Sequence, residues 1–512
     1  MWLNYIKIAL RNLGRYKLYT LINISGLAIG IASFILIWLY IFDELSYDRY
    51  HSKAEDIYRL VNVYDFEGVG ENSASSPFPV SVTLIKEYPQ LIKNITRIFN
   101  RQEPRSLIQH GDIIFNERYF FFADSTFFQI FDFEFIIGDP NTALDEINTV
   151  VITESTAKRY FKEENPIGKT FRFEDRLDLK VTGLIKDVPQ NSHFKFNMMA
   201  SLSSMRNYYR GRLPNSWVWN PCWTYMIIEK GKAEELESFF PKFIENYFYD
   251  AENEYISLYL QPLVDIHLKS KLDYKIEPNS NAGYIRILQA IAFFLLIIAI
   301  INYVNLATAT ASGRAREIGV KKVFGAYRRQ LVYQFLFESI ILSMIALFVA
   351  IFLIELLLPT LNSFSNKSIN ISLLLQPAYF FGIIALGIGT GLVAGFYPAI
   401  YLSVFNPIIV LNSKVAQIAR SGLGRKALVI IQFIISIVLI IVTLNIFRQI
   451  KFLTTAKTGF DKKNILILPV SRTAVSRKYE TFKQELLQNP NVVSVTAMDD
   501  ILGVAHNTRI QT

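Results

Sequence analysis

The chain has 512 residues, 51% of them hydrophobic and 19% charged, with a formal net charge of +9. It is too apolar for a soluble protein of ordinary composition and too charged for one lying wholly in lipid, so bilayer spans and water-facing domains must share it. The single cysteine, Cys222, excludes an internal disulfide and any cysteine-built zinc or iron–sulfur centre; it reads as a core residue.

Residues 1–17 are a basic start, with Lys7, Arg11, Arg15 and Lys17 and no acid. They precede an uncharged run over 18–42, long enough to cross a hydrocarbon core that needs about 20 helical residues. A cleaved signal peptide has an apolar core of roughly 7–15 residues, so this run predicts an uncleaved anchor. Further spans are predicted over 285–311, 331–358 (carrying Glu338 and Glu355), 378–402 and 427–447. Nothing comparable lies between 43 and 284.

Basic residues decide orientation. Besides the N-terminus, the loop over 312–330 holds Arg314, Arg316, Lys321, Lys322, Arg328 and Arg329 against Glu317 alone. The loop over 403–426 holds Lys414, Arg420, Arg425 and Lys426 with no acid. All three segments fall on one face if the N-terminus is cytoplasmic, which puts 43–284 and the residues after 448 outside. The positive charge is thereby a topology signal, and nucleic acid is not expected as a partner.

Within 43–284, strand patterning occurs at Ile57–Tyr64, Thr149–Thr153, Leu177–Leu184, Trp223–Ile228 and Tyr255–Leu260, and helical patterning at Pro79–Glu87, Ser155–Phe161 and Ala233–Tyr247. An α+β domain follows, with two small lobes as one arrangement. His51, His193 and His267 lack metal-ligand spacing, and no nucleophile motif occurs. Gly168-Lys169-Thr170 resembles the end of a phosphate loop, but the glycine required five residues earlier is Glu163, so it reads as a turn.

The loop segment Arg314, Ala315, Arg316, Glu317, Ile318, Gly319, Val320, Lys321, Lys322, Val323, Phe324, Gly325, Ala326 alternates apolar and charged residues at roughly helical spacing. It is either a solvated topogenic loop or a short amphipathic helix docking a cytoplasmic partner, with Phe324 or Val323 as the apolar plug. Glycines spaced by four, Gly26 and Gly30, then Gly387, Gly391 and Gly395, predict close helix packing, within the chain or between permease halves. Glu338 and Glu355 are costly in lipid and are expected to face protein or an interface.

The stretch Arg316-Glu317-Ile318-Gly319-Val320-Lys321-Lys322 with Phe324-Gly325-Ala326 resembles the signature of FtsX-like permeases. Glu338-Ser339, Phe396-Tyr397-Pro398-Ala399, Leu402-Ser403 and Asn406-Pro407 fit the same pattern. The outer domain resembles the MacB-type periplasmic core domain at Phe131-Asp132-Phe133, Gly138-Asp139-Pro140, Thr153-Glu154-Ser155-Thr156-Ala157 and Asn165-Pro166-Ile167-Gly168-Lys169. Asp187-Val188-Pro189, Asn191-Ser192-His193 and Ile266-His267-Leu268 continue it. Lys162 departs from it, standing where family members usually carry glycine.

The resemblance implies a membrane α-helical bundle of five spans plus an α+β extracytoplasmic domain of MacB-like periplasmic core type, set in the inner membrane. It implies that 314–326 is the coupling helix seated in a separate cytoplasmic ABC ATPase subunit. ATP and Mg would be held there and no cofactor by this chain, which shows no Walker A or ABC signature. Movement would pass outward by mechanotransmission to export or extract an amphipathic cargo, or to control an envelope hydrolase as in cell-division relatives. A ligand-sensing receptor is a third class. A second permease copy, a periplasmic or outer-membrane partner and membrane lipid complete the expected contacts. The fifth span repeats the layout of the first. Strands at Ile465–Val470 and Asn491–Thr496 and a helix at Tyr479–Gln488 would open a second outer domain over 448–512, as in tandem eight-span members, so that the sequence reads as a fragment or a truncated product.

Overall fold

The computed structural model describes residues 11, 14, 17–66, 69–101, 105–209, 211–248, 253–310, 318–403, 423–456, 464–468, 470, 475 and 478–498. The chain divides into two compact units, residues 1–43 with 282–461, and residues 44–281 with 462–512.

The first unit is a bundle of five long apolar helices: α1 (Lys17–Leu45), α2 (Ala282–Ala309), α3 (Arg328–Ser365), α4 (Pro377–Ser403) and α5 (Leu423–Thr455). The shortest has 27 residues, about 40 Å at 1.5 Å per residue, enough for a hydrocarbon core of about 30 Å. Small residues decide which helices touch. A Cβ on Gly30 would collide with the Ala299 side chain, and one on Gly26 would lie 3.3 Å from Asn302 Nδ2, so α1 lies against α2. On α4, a Cβ at Gly391 would sit 2.6 Å from Ile340 Cα, so α4 lies backbone-to-backbone on α3 there, and one at Gly395 would sit 2.6 Å from Ser339 Oγ, so Gly395 makes room for that side chain. The Ser343 hydroxyl donates to Gly387 O across that contact (2.8 Å). With no water to drive association, such close approach and such hydrogen bonds hold helices together in lipid. Both glycine rows therefore pack inside one chain.

One expectation changes. The connection placed over 359–377 begins later, because α3 runs through Pro359 to Ser365, where Asn366 (φ 52) ends it in a left-handed cap. Lys367 beyond it forms an ion pair with Asp43 at the end of α1. Glu338 is buried in the bundle, and Glu355 is exposed on α3 towards its Ser365 end. The α5 span buries none of its apolar window inside the bundle, whereas the other four bury 28–44% of theirs. Its polar link is Asn305 Nδ2 to Gln432 Oε1, 3.2 Å.

The second unit is built on one mixed sheet. Its strands are β1 (Ile57–Phe66), β2 (Val69–Ser73), β3 (Ile92–Phe99), β4 (Ser106–His110), β5 (Ile113–Glu117), β6 (Phe120–Ala123) and β7 (Phe135–Ile137). They continue with β8 (Thr149–Thr153), β9 (Thr170–Phe173), β10 (Leu177–Ile185), β11 (Met198–Ser201), β12 (Cys222–Ile228) and β13 (Ile256–Pro262). The order is β13-β1-β12-β3-β6-β11-β8-β10-β9-β4-β5, with β2 on β1 and β7 on β10. The β6–β11 and β8–β10 pairs are parallel.

This continuous sheet replaces the two-lobe arrangement. β3, β6 and β11 bridge what the sequence left as separate strand clusters. Aromatic rings fill the core around it, with Phe127, Phe131, Phe194 and Tyr225 in one cluster and Phe99, Phe122, Phe171 and Phe173 in another. The helix expected over Ala233–Tyr247 is two, Ala233–Ser238 and Phe240–Tyr247, because Pro241 in the first turn of the second cannot donate a backbone bond backwards. A helix spans Tyr479–Leu487, but the described residues of 465–468 and 491–496 pair with no strand, and unpaired extended chain is not a sheet.

Candidate docking site

The loop entering α3 is described from Ile318, so Arg314, Arg316 and Glu317 lie outside the described residues. Residues 318–323 are helical. Ala326 N–H donates to Lys321 O (3.0 Å) and Gly325 N–H to Lys322 O (3.0 Å), the paired bonds of a Schellman stop, with Gly325 at φ 88. That conformation is why Gly325 follows Phe324. Tyr327 then opens α3, its N–H bonded to Gln330 Oε1 (3.0 Å).

The stop splits the segment into two faces. Ile318 is buried against Leu331 and Phe335 of α3 and Ala399 and Leu402 of α4. Phe324 is 86% exposed and Val323 64%, with Val320 and Tyr327 exposed beside them. An aromatic and two valines exposed on a braced turn form an apolar knob. Burying one such side chain is worth about 1.5–3 kcal/mol. Gly319 is buried, Lys321 and Lys322 are half-buried, Arg328 and Arg329 are exposed around the knob, and Ala326 is half-buried at the turn. Burial, with Arg328 close by, holds the Lys322 ammonium below its ordinary range. Tyr327 was not singled out from the sequence, although an aromatic directly before Arg328-Arg329 was the available signal.

The motif residues of the sheet domain have a different task. They converge on the segment entering it. Glu44 Oε2 is 3.0 Å from His267 Nε2, and the His267 ring stacks on Tyr47. Asn191 Nδ2 donates to Ser46 O (3.2 Å), and Asp48 N–H donates to Asn191 O (2.9 Å). Asp48, fully buried at φ 60, accepts the His193 N–H (3.1 Å) and lies 2.9 Å from His193 Nδ1. His193 Nε2 meets the Tyr225 hydroxyl at 2.8 Å. The Asp132 N–H donates to His51 Nδ1 (3.0 Å), while its carboxylate accepts from Ser52. Buried polar groups need partners, and the three motifs supply them for Glu44, Ser46, Asp48 Oδ1, His51 Nδ1 and Ser52. Among the described residues no group of three or more His, Cys, Asp or Glu could hold a metal ion. Gly168 (φ 82) lies in the turn before β9.

Five apolar spans and a large mixed-sheet domain define a membrane protein with an extracytoplasmic domain. Residues 20–234 match the MacB-like periplasmic core domain, and residues 290–407 match the FtsX-like permease C-terminal domain. The chain belongs to the MacB/FtsX-like ABC transporter permeases. It is 23% identical over 274 residues to the macrolide export ATP-binding/permease protein MacB of Neisseria gonorrhoeae, a match covering 53% of this chain and 39% of that one. It is 23% identical over 365 residues to the ABC transporter permease YvrN of Bacillus subtilis, covering 67% and 84%. The chain thus spans about two fifths of the MacB relative it matches. The crystal structure of the periplasmic region of MacB from Actinobacillus actinomycetemcomitans aligns with a TM-score of 0.30 and 15% identity, covering 42% of this chain and 91% of that one.

Proposed function

We propose that this chain is the permease subunit of an ABC transporter, and that Val320, Val323, Phe324 and Tyr327 seat in a cleft of a separate cytoplasmic ATPase. The observation that carries the reading is the knob itself, apolar side chains left exposed by a glycine-stopped turn and braced on α3 and α4. The basic residues around it suit the cytoplasmic face, and the basic start of the chain supports a cytoplasmic N-terminus in an inner membrane. ATP and Mg belong to the partner, whose closure pushes the loop; this chain is the non-catalytic subunit. The movement reaches the extracytoplasmic domain and drives export of an amphipathic cargo by mechanotransmission. The names of the relatives, an ATP-binding/permease exporter and an ABC permease, support that class.

The test is co-purification of the full chain with an ATP-binding subunit encoded beside it. Aromatic anchors at interface centres are worth about 2 kcal/mol or more, roughly thirtyfold in affinity. Phe324→Asp is therefore expected to abolish association without changing the yield of folded chain. Retained association with Phe324→Asp would overturn the docking role, and a wild-type chain that captures no ATPase would overturn the permease reading.

A further inference from the structure

The cations of the basic loop do more than mark a side of the membrane. Lys322 Nζ donates to the backbone carbonyl of Ser403 at 2.7 Å, and Arg328 Nε donates to the Ser403 hydroxyl at 3.2 Å. Ser403 is the last described residue of α4, fully buried, its own hydroxyl donating to Ile400 O (2.8 Å). Two cations therefore converge on one buried residue, one on its carbonyl and one on its hydroxyl, so the loop meets its hydrogen-bonding needs. Ile318 plugs the same junction from the apolar side, between α3 and α4. Higher up, Gly391 sits directly on the Ser339–Ile340 backbone of α3, while Gly387 and Gly395 receive the side chains of Met344, Leu347 and Ser339.

We propose that Lys322 and Arg328 are positioning residues that lock the docking knob to the cytoplasmic end of α4, so that a push on Phe324 is received by α3 and α4 as one body. The lock stands on the geometry alone; that it carries a load rests on the ATPase-docking reading above. Arg329, one residue on, stacks on Tyr333 of its own helix (5.5 Å to the ring centroid) and serves as the internal control.

The test has two arms, both on the full purified chain. In the first, a nitroxide on Phe324→Cys reports mobility with no ATPase present. Cys222 stays silent because it is buried and burial pushes its thiol up. Lys322→Met with Arg328→Gln is expected to shorten the label's correlation time at least twofold, Lys322→Arg to restore much of the ordering, and Arg329→Gln to leave it unchanged. An unchanged label in the double variant, or equal loosening by Arg329→Gln, would overturn the lock. Ser403→Ala, which removes the hydroxyl that accepts from Arg328 and donates to Ile400 O but keeps the carbonyl that accepts from Lys322, supplies a milder variant should the double one fold poorly, with partial loosening expected and none counting against the lock. In the second arm, a label on Gly382→Cys of α4, where the Cβ position is open, is read in complex with the ATPase. ATP is expected to change its line shape in the parent chain but not in the double variant, which still binds the ATPase. An equal response in both would overturn the load path. Failure of the parent chain to bind any ATPase would sink the docking reading and leave the first arm to judge the lock.

Discussion

Adding one methyl group to α4 should separate a close helix contact from an open one. An alanine Cβ at Gly391 would lie 2.6 Å from Ile340 Cα, 3.0 Å from Ser339 O and 3.1 Å from Ile340 N. These are backbone atoms, which cannot rotate aside. Carbon–carbon contacts settle at about 3.5–4.0 Å, so α3 and α4 must part by about 1 Å. Overpacking of this kind costs about 1–3 kcal/mol. Gly389, half a turn away, has nothing within 4 Å of its Cβ position, and glycine-to-alanine in a helix gains about 0.8–1 kcal/mol. That gain is common to both variants, so they should differ by the overpacking cost, about 1–3 kcal/mol, with Gly389→Ala above the parent. Dodecyl sulfate titration of the purified chain in mixed micelles, followed by far-ultraviolet circular dichroism, measures it. Equal midpoints for Gly391→Ala and Gly389→Ala would refute the backbone-to-backbone contact.

Acid should weaken the sheet domain through His51. Burial, opposed by Asp48 and Asp132, brings its pKa from 6.5 down to about 4. The unfolded chain thus takes up the proton first. The contribution is intact above the unfolded value and is lost as pH falls from about 6.5 towards 4, costing about 2 kcal/mol between pH 7 and 5. Thermal melts should drop by about 4–8 °C over that interval, and His51→Gln should flatten the profile; a parent melt independent of pH would contradict the assignment. Lys162 ends the helix Glu154–Phe161 at φ 57 and ψ −114, a conformation costing a side-chain-bearing residue about 1–3 kcal/mol. Lys162→Gly should raise the melting temperature by about 2–4 °C after glycine's extra unfolded freedom is subtracted, and a lowered value would show that the strain is absent.

The spans were legible because lipid leaves one solution, long uncharged helices, and the strands at Thr149–Thr153 and Cys222–Ile228 because they are short, dense in apolar residues and bounded by turns. Their union into one sheet was not, since β3, β6 and β11 owe their places to long-range pairing that no local pattern encodes. The motifs of the outer domain marked it reliably without disclosing their work. His193, His267 and Asp132 lie far apart in sequence and meet only around residues 44–52. In the loop, periodicity suggested a helix with an apolar plug, and Phe324-Gly325-Ala326 carried its stop. The attachment of Lys322 to Ser403 joins residues 81 apart, and charge counting alone assigned Lys322 only a side of the membrane.

The central claim, that the Phe324 knob faces the cytoplasm where an ATPase can reach it, is tested most directly by a membrane-impermeant maleimide and Phe324→Cys in intact spheroplasts. The buried Cys222 supplies no background. The account predicts no labelling until the cells are lysed, followed by rapid modification of a side chain that is 86% exposed in the parent. Labelling of intact spheroplasts at the lysed rate would contradict it.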